Sequence, residues 1–177
     1  MTLTQAWRSR IDDDELTEDP EQERVVGVMR QLEDRIRAYD RPLPRLRRWL
    51  GIAPEPPRGL WLWGGVGRGK TFLMDLFYET LGTEARRRVH FHRMMSEVHH
   101  RRRDLQHVED PLDRIAEDVA REARVLCFDE FFVSDIGDAM ILGRLLGGLF
   151  GRGVTLVATS NVPPRELYRN GLQRERF

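Results

Sequence analysis

The chain of 177 residues carries 29 basic and 29 acidic side chains, so its formal net charge is zero. The length supports one domain of ordinary size, and 40 % apolar with 33 % charged residues exclude a disordered chain. The neutral balance argues against a dedicated nucleic-acid binder, which normally carries an excess of basic groups. Among the basic residues only Lys70 is a lysine, and the other 28 are arginines.

The single cysteine, Cys127, excludes an intramolecular disulfide, and no apolar run approaches the roughly 20 residues that span a bilayer. The first residues lack the apolar stretch of a secretory signal peptide. These features predict a cytoplasmic protein without a membrane span. Within its apolar strand, the Cys127 thiol is expected to be buried and inert.

Residues 1–56 predict an extension that precedes the main domain. The polar and acidic residues 1–20 predict a loosely held arm. Apolar residues recur at three- and four-residue intervals between 21 and 39, which predicts an amphipathic helix. We expect this helix to cover a sheet, and docking to a partner is the alternative. Frequent prolines between 41 and 57 predict a linker.

Residues 57–177 predict the main domain, in which short apolar strands alternate with helices. Strands are predicted at 59–63, 88–92, 125–128 and 154–158, and helices at 71–81, 96–107, 111–123 and 136–150. This alternation predicts an α/β fold, with a parallel sheet flanked by helices.

A glycine-rich segment between the first strand and its helix fits the pattern G-x-x-x-x-G-K-[ST]. Glycines let the backbone curl so that its N–H groups face phosphate oxygens, and the following helix adds the positive end of its dipole. The lysine would reach the β- and γ-phosphates of ATP, and the threonine hydroxyl would ligate Mg²⁺. The predicted nucleotide-binding residues are Gly64, Gly65, Val66, Gly67, Arg68, Gly69, Lys70 and Thr71.

Polar residues follow two later strands of the predicted sheet. Asp129 stands where a phosphate-loop ATPase places a carboxylate for Mg²⁺, and Glu130 is placed to orient or deprotonate the attacking water. Asn161 follows the strand at 154–158, where its amide would bond the γ-phosphate or the lytic water. For Asn161 an ordinary turn at the strand end is the alternative.

Four stretches resemble the ZapE family of AAA-type P-loop ATPases, a family of bacterial cell division with mitochondrial relatives. They read LWLWGGVGRGKTFLMDLF at 60–77, VHFHRMMSEVH at 89–99, LCFDEFFVSDIGDAMIL at 126–142 and GVTLVATSNVPPRELYRNGLQRERF at 153–177. The resemblance implies that residues 64–71 are the Walker A motif, that Asp129 and Glu130 are Walker B, and that Asn161 is sensor 1. It implies an arginine finger at Arg176, with Arg174 as the alternative, completing a neighbour's site.

The resemblance also implies Mg²⁺-dependent ATP hydrolysis that remodels a protein partner in cell division, with FtsZ as the expected partner and assembly of several copies on ATP binding. Members of the family continue past residue 177 with another strand and a helical lid. An incomplete core is therefore expected here, with the phosphate-loop strand at the edge of the sheet.

Two functional alternatives remain at this point. One is a nucleic-acid-associated ATPase of the helicase-loader type that uses the arginines at 86–88 and 101–103. The other is a nucleotide-binding fragment without turnover. His90 and His92 share one face of a predicted strand, but a metal site is not expected because the remaining histidines lie on a separate helix.

Overall fold

The computed structural model describes residues 1–13, 19–40 and 54–168. In this part of the chain the strands β1 to β4 are Leu60–Trp63, Arg86–His90, Val125–Asp129 and Thr155–Ser160. The helices α1 to α6 are Leu3–Asp12, Pro20–Asp40, Lys70–Thr80, Phe91–Asp104, Pro111–Glu122 and Ile136–Gly151, and a 3-10 helix spans Pro164–Glu166. Most of the predicted linker at 41–57 lies outside the described residues, as do Arg174 and Arg176.

The four strands form one parallel sheet in the order β1-β4-β3-β2. The predicted α/β architecture is therefore confirmed, and β1 lies at the edge of the sheet that the structure describes. Because all strands run in one direction, their carboxyl ends lie along one side of the sheet. The phosphate loop, Asp129 and the end of β4 consequently meet there.

Helices cover both faces of the sheet, and the central strand β3 is buried throughout. Leu126 and Phe128 point to the face that α4, α5 and α6 cover, while Val125 and Cys127 point to the face covered by α1, α2 and α3. Successive side chains of a strand alternate between faces, and here both faces are apolar. This is the reason that β3 reads as an uninterrupted apolar run.

The predicted loose arm at residues 1–20 is wrong for its first part, which forms α1. Thr2 and Gln5 make a capping box, and the side chains of Leu3 and Trp7 are buried against the rest of the protein. Burying a large apolar side chain contributes about 1.5–3 kcal/mol, enough to hold a short helix in place. Leu3, Ala6 and Trp7 have helical spacing, but the acidic residues after them dominate the composition of the segment.

The boundary between β2 and α4 also differs from the prediction. β2 ends at His90 and α4 begins at Phe91, so His90 and His92 do not share a strand face. The alternation of residues 88–92 fits a strand, yet Phe91, Met94 and Val98 have helical spacing, and all three are buried in the core. Packing of that apolar stripe decides between the two patterns.

No cluster of three or more histidine, cysteine, aspartate or glutamate side chains among the described residues could hold a metal ion. None of the described helices has both the length and the apolar composition to cross a membrane.

Candidate nucleotide-binding and catalytic site

The glycine-rich loop turns sharply between β1 and α3. Gly67 and Gly69 have φ angles of 80° and 75°, a left-handed conformation that strains residues with a side chain. A Cβ on Gly69 would also lie 2.9 Å from Nε2 of Gln22, on α2. Gly69 is the N-cap residue of α3 and has no side chain to bond the first N–H groups of the helix. These donors, at the positive end of the helix dipole, suit an anion.

Lys70 folds back over the loop. Its Nζ atom donates hydrogen bonds to the carbonyl oxygens of Gly64 and Gly65, both at 2.7 Å. Burial lowers the pKa of Lys70 from its usual value of 10.5. The ammonium group thus lies at the loop. Phosphate oxygens would compete with these two carbonyl oxygens for its hydrogen bonds.

One cavity of about 440 Å³ brings together most of the predicted site residues. Residues 66–72 of the loop and α3 line one side of it, and Glu130, Thr159, Ser160 and Asn161 line the other. These groups come from three separate parts of the sequence. They meet because β1, β3 and β4 are neighbours and end on the same side of the sheet.

Glu130 presents an open carboxylate to this cavity. The residue is exposed, and its carboxylate forms no hydrogen bond or ion pair with the residues that the structure describes. Its backbone has a φ of 54°, which is uncommon for a residue other than glycine. The Glu130 N–H donates to Oγ1 of Thr159 at 3.1 Å, so that the backbone is held while the side chain stays available.

Asp129 does not line this cavity, although it precedes Glu130 directly. The residue is only 4 % exposed, and its two carboxylate oxygens accept hydrogen bonds from Nε and Nη2 of Arg88, at 2.7 and 3.3 Å. Nη1 of Arg88 donates to Asp75 on α3. Arg88 therefore connects β2, β3 and the helix that follows the phosphate loop.

The sequence alone does not predict this role of Arg88, which belongs there to a basic cluster at 86–88. A signal was available, since an arginine within a half-buried strand needs a carboxylate to compensate its burial. The acidic residue at the end of a neighbouring strand is the natural partner. Only the order of the strands shows that β2 and β3 are neighbours.

The other arginines of the cluster also have partners within the protein. Arg86 donates to the carbonyl oxygen of Leu81 at 2.7 Å, and Arg87 forms an ion pair with Glu97. Arg101, from the second predicted cluster, pairs with Glu97 at 3.2 Å. Four of the six arginines on which the nucleic-acid alternative rests therefore have partners within the protein, while Arg102 and Arg103 are exposed.

The oxygen atoms that line the cavity are suitable ligands for Mg²⁺. This cation binds through substrate phosphates and one or two protein groups, and it keeps several water ligands. The Thr71 hydroxyl and the Glu130 carboxylate both lie at the cavity. Asp129 fits less well than the sequence predicts, because both of its oxygens already accept bonds from Arg88.

Cys127 is fully buried, and desolvation raises the pKa of its thiol to about 12, which makes it unreactive at neutral pH. α2 belongs to the apolar cluster on one face of the sheet through Val26, Met29 and Ile36, and it packs against α1 and α3. Its first turns also line a second cavity, of about 290 Å³, that reaches Arg68 and Lys70 of the loop. The extension therefore contributes to the surroundings of the phosphate loop.

The fold and the site together define the class of protein. A parallel sheet of this order, with a glycine-rich loop between its first strand and the following helix, is that of P-loop ATPases of the AAA type. The AMPPCP-bound DnaA of Aquifex aeolicus superimposes with a TM-score of 0.56 at 12 % identity, over 92 % of this chain and 44 % of that one. The DnaC helicase loader gives a TM-score of 0.53 at 17 % identity, over 90 % and 76 %. At these identities the likeness establishes the fold alone.

Sequence comparison identifies the family. The model of the AFG1-like ATPases matches residues 1–177, and the chain belongs to this family. It is 65 % identical over 122 residues to the cell division protein ZapE of Escherichia coli K12, which covers 69 % of this chain and 32 % of ZapE. It is 48 % identical over 135 residues to lactation elevated protein 1 homolog B of Danio rerio, covering 70 % and 27 %. The chain thus spans about one third of the length of these relatives, and the resemblance to the ZapE family is confirmed.

Proposed function

We propose that the chain binds Mg²⁺ and ATP in the 440 Å³ cavity. It hydrolyses the bond between the β- and γ-phosphates and releases ADP and inorganic phosphate. The observation that carries the proposal is the convergence of the phosphate loop, Glu130 and Asn161 on that one cavity. When bound, Mg²⁺ would neutralise charge on the β- and γ-phosphate oxygens, with the Thr71 hydroxyl as its protein ligand and Asp129 behind it.

The remaining chemistry falls to the side chains of the site. The loop N–H groups and Lys70 hold the phosphates and stabilise the negative charge that develops on the transferred group. Glu130 orients a water molecule and accepts its proton as the water attacks the γ-phosphate. Asn161, at the end of β4, donates to the γ-phosphate or orients the same water.

Replacement of Glu130 tests this assignment. We expect Glu130→Gln to lower the rate of ATP hydrolysis by about 10²–10⁴, the range typical of a lost general base, and to leave binding of a non-hydrolysable analogue intact. Glu109→Gln is the matched control, since Glu109 is exposed and remote in sequence from every loop of the site. Equal hydrolysis by the Glu130→Gln variant and the parent would contradict the proposal. Tight binding with no hydrolysis by the parent would favour the nucleotide-binding fragment.

An arginine from a second copy completes the site in this proposal, and assembly on ATP binding follows from it. Arg176 is the proposed finger and Arg174 the alternative, both outside the described residues. In other phosphate-loop enzymes, an arginine supplied by a second molecule raises the rate of hydrolysis by about 10³–10⁵. We therefore expect a monomer to hydrolyse ATP slowly. Sedimentation with an ATP analogue should show assembly, and a strict monomer with full activity would refute this part.

We further propose that hydrolysis remodels a protein partner in cell division, with FtsZ as the candidate. The identity of 65 % to a protein named for cell division supports this, and so does the internal pairing of the arginines at 86–88. FtsZ polymers should raise the ATPase rate, and single-stranded DNA should not. Stimulation by DNA alone would favour the helicase-loader type instead. The cytoplasmic location expected from the sequence stays a prediction.

A further inference from the structure

The end of β4 is bonded closely to the segment that carries Glu130. The Glu130 N–H donates to Oγ1 of Thr159 at 3.1 Å, and the N–H of Phe131 donates to the Thr159 carbonyl oxygen at 2.7 Å. The hydroxyl of Ser160 donates to the carbonyl oxygen of Phe131 at 2.8 Å. Three hydrogen bonds thus continue the contact between β3 and β4 beyond the sheet.

Two of these bonds use hydroxyl groups that are buried in an apolar strand. Thr159 and Ser160 are each 2 % exposed, and they follow the fully buried Val157 and Ala158. A buried hydroxyl is costly unless it has a hydrogen-bond partner. Their partners here are the backbone groups on either side of the Glu130–Phe131 peptide bond, so the hydroxyls specify the path of that segment.

The backbone at Glu130 needs such support. A residue other than glycine in the left-handed region persists only where its surroundings determine the conformation, and such strain concentrates at functional sites. The φ of 54° at Glu130 accompanies the bond from its N–H to Thr159. Without that acceptor, the segment after β3 could relax to an extended conformation, and the carboxylate would leave its place at the cavity.

The same short segment touches the phosphate loop. The carbonyl oxygen of Ser160 accepts a hydrogen bond from the N–H of Gly64, the first glycine of the loop, at 3.3 Å. Asn161 follows Ser160 directly and lines the cavity. Residues 159–161 therefore contact the loop, the cavity and the Glu130 backbone at once.

We propose that Thr159 is a positioning residue for Glu130: its hydroxyl accepts the Glu130 N–H and thereby holds the carboxylate at the reacting phosphate. Ser160 supports the same segment through Phe131. This inference rests on the proposed role of Glu130 as the group that activates water. Thr159 acts through the backbone of Glu130, so it affects the chemical step and not the affinity for nucleotide.

Three substitutions of Thr159 distinguish the effect of its hydroxyl group from the effect of its methyl group. Thr159→Val keeps the shape and removes the acceptor, and we expect kcat to fall about 10- to 100-fold, as for a misplaced catalytic group. The KM for ATP and the affinity for a non-hydrolysable analogue should stay within about twofold. Thr159→Ser retains the acceptor and should keep most of the activity, whereas Thr159→Ala, which also lacks the methyl group, should be as slow as Thr159→Val.

Thr155→Val is the matched control in the same strand. Thr155 is 3 % exposed, and its hydroxyl donates to the carbonyl oxygen of Pro57 at 3.1 Å, at the end of β4 remote from the cavity. This variant loses a buried hydroxyl bond as Thr159→Val does, but its kcat should match the parent. If Thr159→Val does not fold, the comparison of Thr159→Ser with Thr159→Ala decides the question.

The outcomes distinguish this inference from the proposed function. Parental kcat in Thr159→Val or Thr159→Ala, together with an inactive Glu130→Gln, would overturn the inference and leave the function standing. Parental activity in Glu130→Gln would instead remove the proposed function. In the Glu130→Gln background, Thr159→Val should lower the rate no further, because the two residues act as one unit.

Discussion

Arg88 of β2 holds the carboxylate of Asp129, at the end of β3, through two hydrogen bonds of 2.7 and 3.3 Å. The Asp129 side chain is 6 % exposed and that of Arg88 is 22 % exposed. A carboxylate removed from water in this way needs the guanidinium to compensate the lost hydration. The pair therefore explains how an acidic residue can end the most buried strand of the sheet.

Removal of Arg88 should destabilise the protein. In Arg88→Met, Asp129 keeps its burial and loses both hydrogen bonds, and we expect the free energy of unfolding to fall by about 3 kcal/mol. Urea unfolding followed by circular dichroism measures this change. Arg144→Met is the control, because its exposed ion pair with Asp110 contributes little to stability.

The double variant Arg88→Met, Asp129→Asn should recover part of the loss, since an uncharged amide is less costly to bury than an unpaired carboxylate. An unchanged stability in Arg88→Met would mean that Asp129 does not depend on this partner.

Lys70 offers a direct test of phosphate binding, because it is the sole lysine of the chain. An amine-selective acylating reagent should modify only Lys70 and the N-terminal amine. The lowered pKa of Lys70, caused by burial, increases the fraction of reactive free amine. Excess Mg²⁺ and ATP should protect Lys70, whereas AMP, which lacks the β- and γ-phosphates, should protect it far less.

Mass spectrometry of the digested protein gives the extent of acylation at each amine. The N-terminal amine serves as the internal control and should react equally in all samples. Acylation of Lys70 that ATP leaves unchanged would contradict the predicted contact with the phosphates.

The backbone at Glu130 predicts an unusual order of stabilities. In the left-handed region, an alanine lowers the free energy of unfolding by about 1–2 kcal/mol relative to a glycine. Glu130→Gly should therefore be more stable than Glu130→Ala by about 1 kcal/mol in urea unfolding. In the middle of α5 the order should reverse, with Glu117→Ala more stable than Glu117→Gly. If the alanine variant were more stable than the glycine variant at both positions, the backbone at Glu130 would not be strained.

Glu33 of α2 makes stability depend on pH. The residue is 2 % exposed, and burial raises its pKa above the usual 4.5, although the ion pair with Arg37 opposes this. The folded chain then binds more protons here than the unfolded chain does. The stabilising contribution is complete below pH 4.5 and is lost as the pH rises through the folded pKa.

Glu33→Gln removes this titration while it keeps a hydrogen-bond acceptor. Relative to that variant, the parent should lose free energy of unfolding as the pH rises above 4.5, and the difference should level off once Glu33 is ionised. Urea unfolding of both proteins over a series of pH values measures it. A difference that does not change with pH would mean that the pKa of Glu33 is not raised.

The local patterns of the sequence predicted most elements of the fold. Alternating strands and helices, the glycine-rich loop and the start of α5 at Asp110 and Pro111 depend on residues that are close together in the chain. Two predictions failed where neighbouring residues support two patterns. Residues 3–12 are polar yet contain a short apolar stripe, and residues 88–92 fit both a strand end and a helix start. Burial of the apolar side chains decided both cases.

The sequence by itself determined the class of the site, because a phosphate loop is a continuous motif whose chemistry lies within eight residues. Only the tertiary structure decided how the other groups are held. Arg88 and Asp129 are 41 positions apart, and Thr159 and Glu130 are 29 apart. Parallel pairing of their strands brings each pair within hydrogen-bond distance. No local periodicity in the sequence predicts that pairing, because the order of strands depends on how the sheet and its covering helices pack together.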